Sequence, residues 1–286
     1  MKKRIHLLLP GLLFILLTCF FIAFAGKSQT NSGTVPALPL IIAHRGGAQE
    51  FTENTIGAFN RALKLGAEGI ETDLRLTRDG ELAIYHDERI GRVEKIDDPQ
   101  LRLPIADLTF AEVTKATLPP VGEDPGGERV PRLDDVLKKT NAGLLNIELK
   151  RGVRFEEMVD QTIIALKKYP QLDRVVLEAP DIATATKLRN VIGPQLKLHI
   201  NPGYDESVSY DSSLRRVLAF KPHSISVSYR KLSWEIVDLA HRAGVQVWVW
   251  TVNDETLAQA MMLLGVDAIK TDIPTKLLKL RQQQRK

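Results

Sequence analysis

From Leu38 onward, short apolar runs alternate with amphipathic segments, and this alternation constrains the fold more than any other feature of the 286-residue chain. Apolar runs at 40–43, 69–76, 81–86, 144–148, 174–177, 196–200, 224–228, 245–251 and 267–270 have the length and bounding residues of buried strands. Helix-period segments lie between most of them, at 54–65, 133–140, 155–168, 182–191, 212–219, 233–242 and 255–264. Asp181, Asp211 and Ser233 are placed to cap helix N-termini, and Gly66, Gly244 and Gly265 to end helices. Repetition of this kind builds a largely parallel sheet. The number of strands, with no glycine-rich dinucleotide fingerprint, favours an α/β fold of the closed (β/α)8 TIM-barrel type over an open doubly wound sheet. Nine runs for eight places require one irregular pair. It is expected at 74–85, where Arg78-Asp79-Gly80 reads as a tight turn. Residues 91–131, rich in Pro, Gly and charge, read as an extended loop or small insertion on the rim where barrels place function.

Three domains follow. Residues 1–25 read as a signal peptide or membrane anchor, 26–37 as a linker, and 38–286 as the barrel. Lys2, Lys3 and Arg4 precede an apolar run that ends in Ala23-Phe24-Ala25, a context suited to signal peptidase. The run is nearly long enough to span a bilayer. Cleaved or retained, it predicts a catalytic domain outside the cytoplasm, periplasmic, extracellular or anchored through residues 5–25. The net charge of +4 owes much to this segment: without its three cations the 39 basic residues become 36, against 35 acidic ones. No basic stripe remains, so nucleic acid is not an expected partner. Cys19 is the only cysteine and lies in the same segment, which excludes disulfides within the barrel, a thiol nucleophile and a cysteine-based zinc site.

Ionisable residues terminate several apolar strands: His44 and Arg45 the first, Glu71 and Asp73 the second, His86 and Asp87 the third, Glu148 and Lys150 the fourth. Burying charge at such places is costly without a partner or a task. Glu71 and Asp73 are two apart and share a strand face. Glu148 can join them, and three converging carboxylates call for a cation. Oxygen-only ligation favours Mg²⁺ or Ca²⁺ over zinc. His44 and His86 suit general acid and base roles. Arg45 suits forked binding of a phosphoryl oxygen, and Lys150 suits a point charge beside it. Trp248 reads as core, and Trp250, nearer the strand end, reads either as core or as an apolar wall of a pocket. His199, His223 and His241 read as structural.

Several motifs agree in order and spacing with one family. Ala43-His44-Arg45-Gly46, Glu53-Asn54-Thr55, Gly69-Ile70-Glu71-Thr72-Asp73-Leu74, Thr77-Arg78-Asp79-Gly80 and His86-Asp87 resemble the signature of the glycerophosphodiester phosphodiesterases. The likeness continues through Pro131-Arg132-Leu133, Asn146-Ile147-Glu148-Leu149-Lys150, Trp250-Thr251-Val252-Asn253 and Gly265-Val266-Asp267-Ala268-Ile269-Lys270-Thr271-Asp272. The resemblance implies a barrel related to the phosphatidylinositol-specific phospholipases C. It implies a divalent cation on Glu71, Asp73 and Glu148, and His44 and His86 as an acid–base pair, either one in either role. The implied reaction converts glycerophosphodiesters to glycerol 3-phosphate and an alcohol. A lysophospholipase D-type activity on lysolipids is the alternative, and a noncatalytic binding barrel a weaker one. Three departures stand out: Thr52 for a usual Pro, Arg132 for Thr, and Glu178-Ala179-Pro180 for a Gln-Ser-Phe-like segment. The last is expected at the site rim, where it bears on substrate choice.

Overall fold

The computed structural model describes residues 38–91, 102–122, 124–140, 143–203 and 207–284. The predicted export segment and linker, with Cys19, lie outside the described residues. No helix among the described residues is long and apolar enough to cross a membrane.

The strands are β1 (Leu40–Ala43), β2 (Gly69–Leu76), β3 (Leu82–Ile84), β4 (Leu144–Leu149), β5 (Val175–Ala179), β6 (Lys197–Ile200), β7 (Ser224–Ser228), β8 (Gln246–Trp250) and β9 (Ala268–Thr271). The helices are α1 (Ile56–Lys64), α2 (Phe110–Val113), α3 (Leu133–Lys139), α4 (Phe155–Lys167), α5 (Ile182–Ile192), α6 (Tyr210–Phe220), α7 (Trp234–Arg242), α8 (Glu255–Leu264) and α9 (Pro274–Gln283). Every strand except β3 joins one parallel sheet, and β1 pairs with both β9 and β2, which closes it into an eight-stranded TIM barrel. At the bottom, Arg281 of α9 ties the closure together. It bonds Glu68 through both terminal nitrogens at 2.7 and 2.8 Å and the Pro39 carbonyl at 3.0 Å.

Strand parity separates two cores. Outward residues such as Ile41, Ala43, Leu177, Val247 and Ile269 pack beneath the helices. Their inward neighbours Ile42, Val176, Trp248 and Ala268 form an apolar plug inside the barrel. Burying one such side chain is worth about 1.5–3 kcal/mol, so the alternation fixes which face of every strand points inward. The helices fall where the periodicity puts them. Asp181 caps α5 by accepting from Thr184 N at 2.7 Å. Asp211, however, lies inside the first turn of α6, and Ser209 is the cap, because the helix starts two residues earlier than the apolar period alone indicates. Helices α2 and α9 have no counterpart in the sequence reading. The first is one short turn, and the second places a proline at its start.

The irregular pair is where the tight turn predicts it. Strand β3 runs antiparallel to β2, with Leu74 opposite Ile84 and Leu76 opposite Leu82, and takes no place in the barrel. The third apolar run is therefore a hairpin arm rather than a barrel strand. β2 uses 69–74 to pair with β4 and lets its last residues rise above the rim. β3 then descends, and Tyr85 N donates to Asp73 O at 3.0 Å, which delivers His86 beside Asp73. The insertion supports this arm. Ile105, Leu108, Phe110, Val113 and Leu118 form a separate buried cluster on Ala83 and Tyr85. Two sequence departures belong to the same support. Thr52 N donates to Asp124 at 3.1 Å, a bond proline cannot make. Arg132 bonds Glu81 at 2.9 Å and lies 3.9 Å above the Phe110 ring.

Candidate active site

The inward parity that builds the plug also builds the site. Two residues beyond Ile42, Val176, Trp248 and Ala268 stand His44, just past the end of β1, and Glu178, Trp250 and Lys270 on their strands. β2 contributes Glu71 and Asp73 and β4 contributes Glu148 to the same level, since Asp73 and Glu148 are register partners. All of these but Asp73 line a cavity of ≈ 510 Å³ together with Arg45, His86, Lys150 and Ser226. Every site residue expected from sequence is therefore at this one place: Asp73 is buried beneath it, and the other seven line it.

The loop after β1 is held tightly. Arg45 is left-handed (φ 51) and Gly46 has φ 87. A Cβ at Gly46 would come within 2.9 Å of Ala58 and Phe59 on α1. Gly46→Ala is accordingly expected to lower Tm, the strain being about 1–3 kcal/mol. An unchanged melting curve would show that α1 does not press on this loop. The loop's backbone also reaches the acidic cluster, because Arg45 N donates to Glu71 Oε2 at 3.0 Å. The Glu53-Asn54-Thr55 motif acquires a physical meaning here. Thr55 caps α1 by accepting from Ala58 N, and Asn54 donates to Asp73 Oδ2 at 3.0 Å while accepting from Thr72 Oγ1 at 2.8 Å.

Glu71, Asp73 and Glu148 bring one oxygen each within 4.8 Å of one another. Oxygens on a common Mg²⁺ or Ca²⁺ lie at about 2.0–2.6 Å from the ion, so this spacing fits a shared cation. Asp73 Oδ1 is buried and accepts no hydrogen bond among the described residues, and its cation, Lys150 Nζ, stands 3.5 Å away. The two neighbouring carboxyls are pushed in opposite directions. Burial, with the charge of Asp73, raises Glu71 to about 7. Burial acts upward on Asp73 too, but Lys150, His86 and Arg45 outweigh it and hold the group down to about 2. The Arg45 guanidinium lies between Glu53 at 3.6 Å and Asp73 at 3.5 Å, and the residue still lines the cavity. Lys150 donates to Glu148 at 2.9 Å.

Each histidine is held by a carboxylate at Nδ1: His44 by Asp272 at 2.6 Å and His86 by Asp87 at 2.5 Å. A carboxylate only accepts, so Nδ1–H donates and Nε2 is left for the pocket. Burial alone would lower His44 below its ordinary 6.5, but Glu71 and Asp272 outweigh it and raise the pKa. Burial lowers His86, and Lys150 and Arg45 add to that against Asp73 and Asp87. Asp272 is a residue that sequence reasoning quoted in a motif without assigning it a place in the site. Its own orientation comes from Asn253, which donates to it at 2.6 Å and accepts from its backbone N–H at 2.8 Å. The available signal was a carboxylate just past the end of an apolar run, as Asp87 is past the third.

Trp248 is fully buried in the plug, as its position predicts, and Trp250 lines the pocket. His241 bonds Asp267 at 2.8 Å, well away from the pocket lining. His199 is fully buried and bonds Ser224 at 2.7 Å, a structural role, though its Nε2 also comes within 3.7 Å of Glu178. Glu178 itself is not on the rim. It lies deep in the barrel, paired with Lys270 at 2.6 Å.

Residues 44–276 match the model of the glycerophosphoryl diester phosphodiesterase family. A glycerophosphodiester phosphodiesterase from Caldanaerobacter subterraneus subsp. tengcongensis is 32% identical over 84% of this chain and 97% of its own length. Lysophospholipase D GDPD1 from Homo sapiens is 26% identical over 82% of this chain and 84% of its own. An Oleispira antarctica phosphodiesterase, solved in complex with the product sn-glycerol-3-phosphate, superimposes with a TM-score of 0.72 at 24% identity, covering 86% of this chain and 97% of that one.

Proposed function

The chain belongs to the glycerophosphoryl diester phosphodiesterase family and is a phosphoric diester hydrolase, and from that premise we propose that it uses His44 and His86 with a cation-binding carboxylate cluster to convert glycerophosphodiesters to glycerol 3-phosphate and an alcohol. The observation that carries this reading is the convergence of two carboxylate-held imidazoles and three carboxylates on one cavity. Glu71, Asp73 and Glu148 would hold Mg²⁺ or Ca²⁺, which supplies positive charge to a phosphoryl oxygen. Arg45 and Lys150 orient the anionic phosphodiester from either side of Asp73. His86, whose pKa is lowered, accepts the proton of the attacking oxygen, which belongs to water or to the neighbouring glycerol hydroxyl; in the second case the cyclic phosphodiester that forms is then opened by water to glycerol 3-phosphate. His44, whose pKa is raised, donates its Nε2 proton to the departing alcohol oxygen as the P–O bond breaks.

The cation requirement has a pH signature. Glu71 is protonated below about 7 and must lose that proton to bind an ion. Cation affinity is therefore expected to rise as pH increases from 6 to 8, by up to about tenfold per unit below 7. Calorimetry in buffers of different ionisation enthalpy reads the proton release, and Glu71→Gln abolishes it. Hydrolysis of glycerophosphocholine should stop with chelator and return with Mg²⁺ or Ca²⁺. Cation binding without proton release across this range would overturn the ligand assignment.

Lysolipid hydrolysis is the second reading, favoured by the human relative's name. Product analysis with glycerophosphocholine and lysophosphatidylcholine separates the two. We further place the catalytic domain outside the cytoplasm on the N-terminal cations and apolar run. Cell fractionation and N-terminal sequencing of the recovered protein test that placement.

A further inference from the structure

The floor of the cavity carries hydrogen-bonding groups that neither the carboxylate cluster nor the histidines use. Glu178 from β5, Lys270 from β9 and Ser226 from β7 all line it and are only 2%, 3% and 1% exposed, about as deeply buried as Glu71. Lys270 Nζ donates to Glu178 Oε2 at 2.6 Å. Among the described residues that is the only hydrogen bond of either group. One carboxylate oxygen and two N–H donors are thus left over. Ser226 Oγ is buried and has no partner among the described residues. Burying that much unused capacity costs about 1–3 kcal/mol per group unless a ligand or water meets it.

The charges on this floor cancel. A quaternary ammonium gains little from a carboxylate already neutralised at 2.6 Å, and a second phosphate would meet Glu178 as well as Lys270. A neutral group that both donates and accepts fits all three, and adjacent alcohol hydroxyls have that chemistry. The lining contains no Leu, Ile, Val, Met or Phe among the described residues, so an acyl chain finds no aliphatic wall there.

We propose that Glu178, Lys270 and Ser226 form a subsite for the free hydroxyls of the glycerol half of the substrate, which restricts the enzyme to diesters whose glycerol is unacylated. The proposal rests on the phosphodiesterase reading and sharpens it: Glu178 accepts from one hydroxyl, Lys270 donates to the other, and Ser226 completes the set. A site built on hydrogen bonds to substrate hydroxyls rejects an analogue lacking them far more strongly than an apolar pocket rejects a methylene.

The test compares binding of glycerol 3-phosphate and propyl phosphate, the same phosphomonoester without hydroxyls, to the full chain with Mg²⁺ by calorimetry. Glycerol 3-phosphate is expected to bind at least about tenfold more tightly, and the preference to collapse toward one in the Glu178→Leu/Lys270→Leu double variant. Removing both charges together avoids stranding either. Should that variant misfold, Ser226→Ala and Glu178→Gln carry the same comparison at nearly native volume, each losing about threefold or more of the preference. A purely structural ion pair would leave the ratio unchanged in folded variants, and that result overturns the proposal. So does equal affinity of the two ligands for the unmodified protein, or turnover of lysophosphatidylcholine as fast as glycerophosphocholine. A preserved glycerol preference with no turnover of either diester upholds the subsite and rejects the hydrolase assignment instead.

Discussion

His44→Ala is expected to slow hydrolysis of glycerophosphocholine by about 10²–10⁴-fold, and hydrolysis of the p-nitrophenyl diester of glycerol 3-phosphate far less. The reasoning is local. His44 Nδ1–H donates to Asp272 at 2.6 Å, and Asn253 fixes Asp272, so Nε2 faces the pocket and carries its proton in the imidazolium form that Glu71 and Asp272 favour. Choline leaves as a basic alkoxide and needs that proton, whereas p-nitrophenolate leaves without one. His86→Ala should slow both substrates alike, because it removes acceptance of the nucleophile's proton, which either leaving group requires. The pH profile carries the same assignment. At saturating cation, where deprotonation of Glu71 no longer limits the rate, the lowered His86 pKa puts the rising limb of kcat/KM below 6.5, and the raised His44 pKa puts the falling limb above 6.5. His44→Ala removes the falling limb. Asp272→Asn tests the positioning residue: it should bring the falling limb to lower pH, since it takes away a charge that raises His44. A leaving-group dependence found in His86→Ala instead would reverse the two roles.

The sequence made the acidic cluster legible because period-two alternation is a local property. Glu71 and Asp73 must share a face wherever β2 goes, and Glu148 follows from being the strand-end acid of the next barrel strand. His86 was legible by type and only partly by position. Its run of residues reads as a strand, but the descent of β3 from above the rim depends on the hairpin and on the insertion's own core. Asp272 and Asn253 are a different case. His44 and Asp272 are 228 residues apart and meet only because β1 closes on β9. Glu178 and Lys270, 92 residues apart, meet across the barrel interior for the same kind of reason. A charge in an apolar strand signals an inward polar position from sequence alone, but its partner is set by shear and closure, which no local pattern encodes.

That ion pair also makes the largest stability prediction. Lys270→Met leaves the Glu178 carboxylate deep in the barrel without its cation, and breaking a buried pair in this way costs about 3–5 kcal/mol. For a chain of this size each kcal/mol lowers Tm by about 2–4 °C. Glu178→Leu/Lys270→Leu should recover most of the loss, because the low-dielectric interior that makes the lone charge expensive also makes the desolvation cost of the pair high. His199 gives the effect a pH dependence. Its Nε2 is 3.7 Å from Glu178, and burial together with Lys270 holds its pKa well below 6.5. Without Lys270 the imidazole gains a reason to protonate beside the stranded carboxylate. The single variant should therefore lose less stability at pH 5 than at pH 8, while the double variant, with no carboxylate to pair, should show no such recovery. Thermal unfolding of the two variants and the parent protein at both pH values measures this cycle. Equal stability of Lys270→Met and the parent protein at pH 8 would mean that water in the pocket already solvates Glu178. In that event the pair is a surface feature of the cavity and no constraint on the fold.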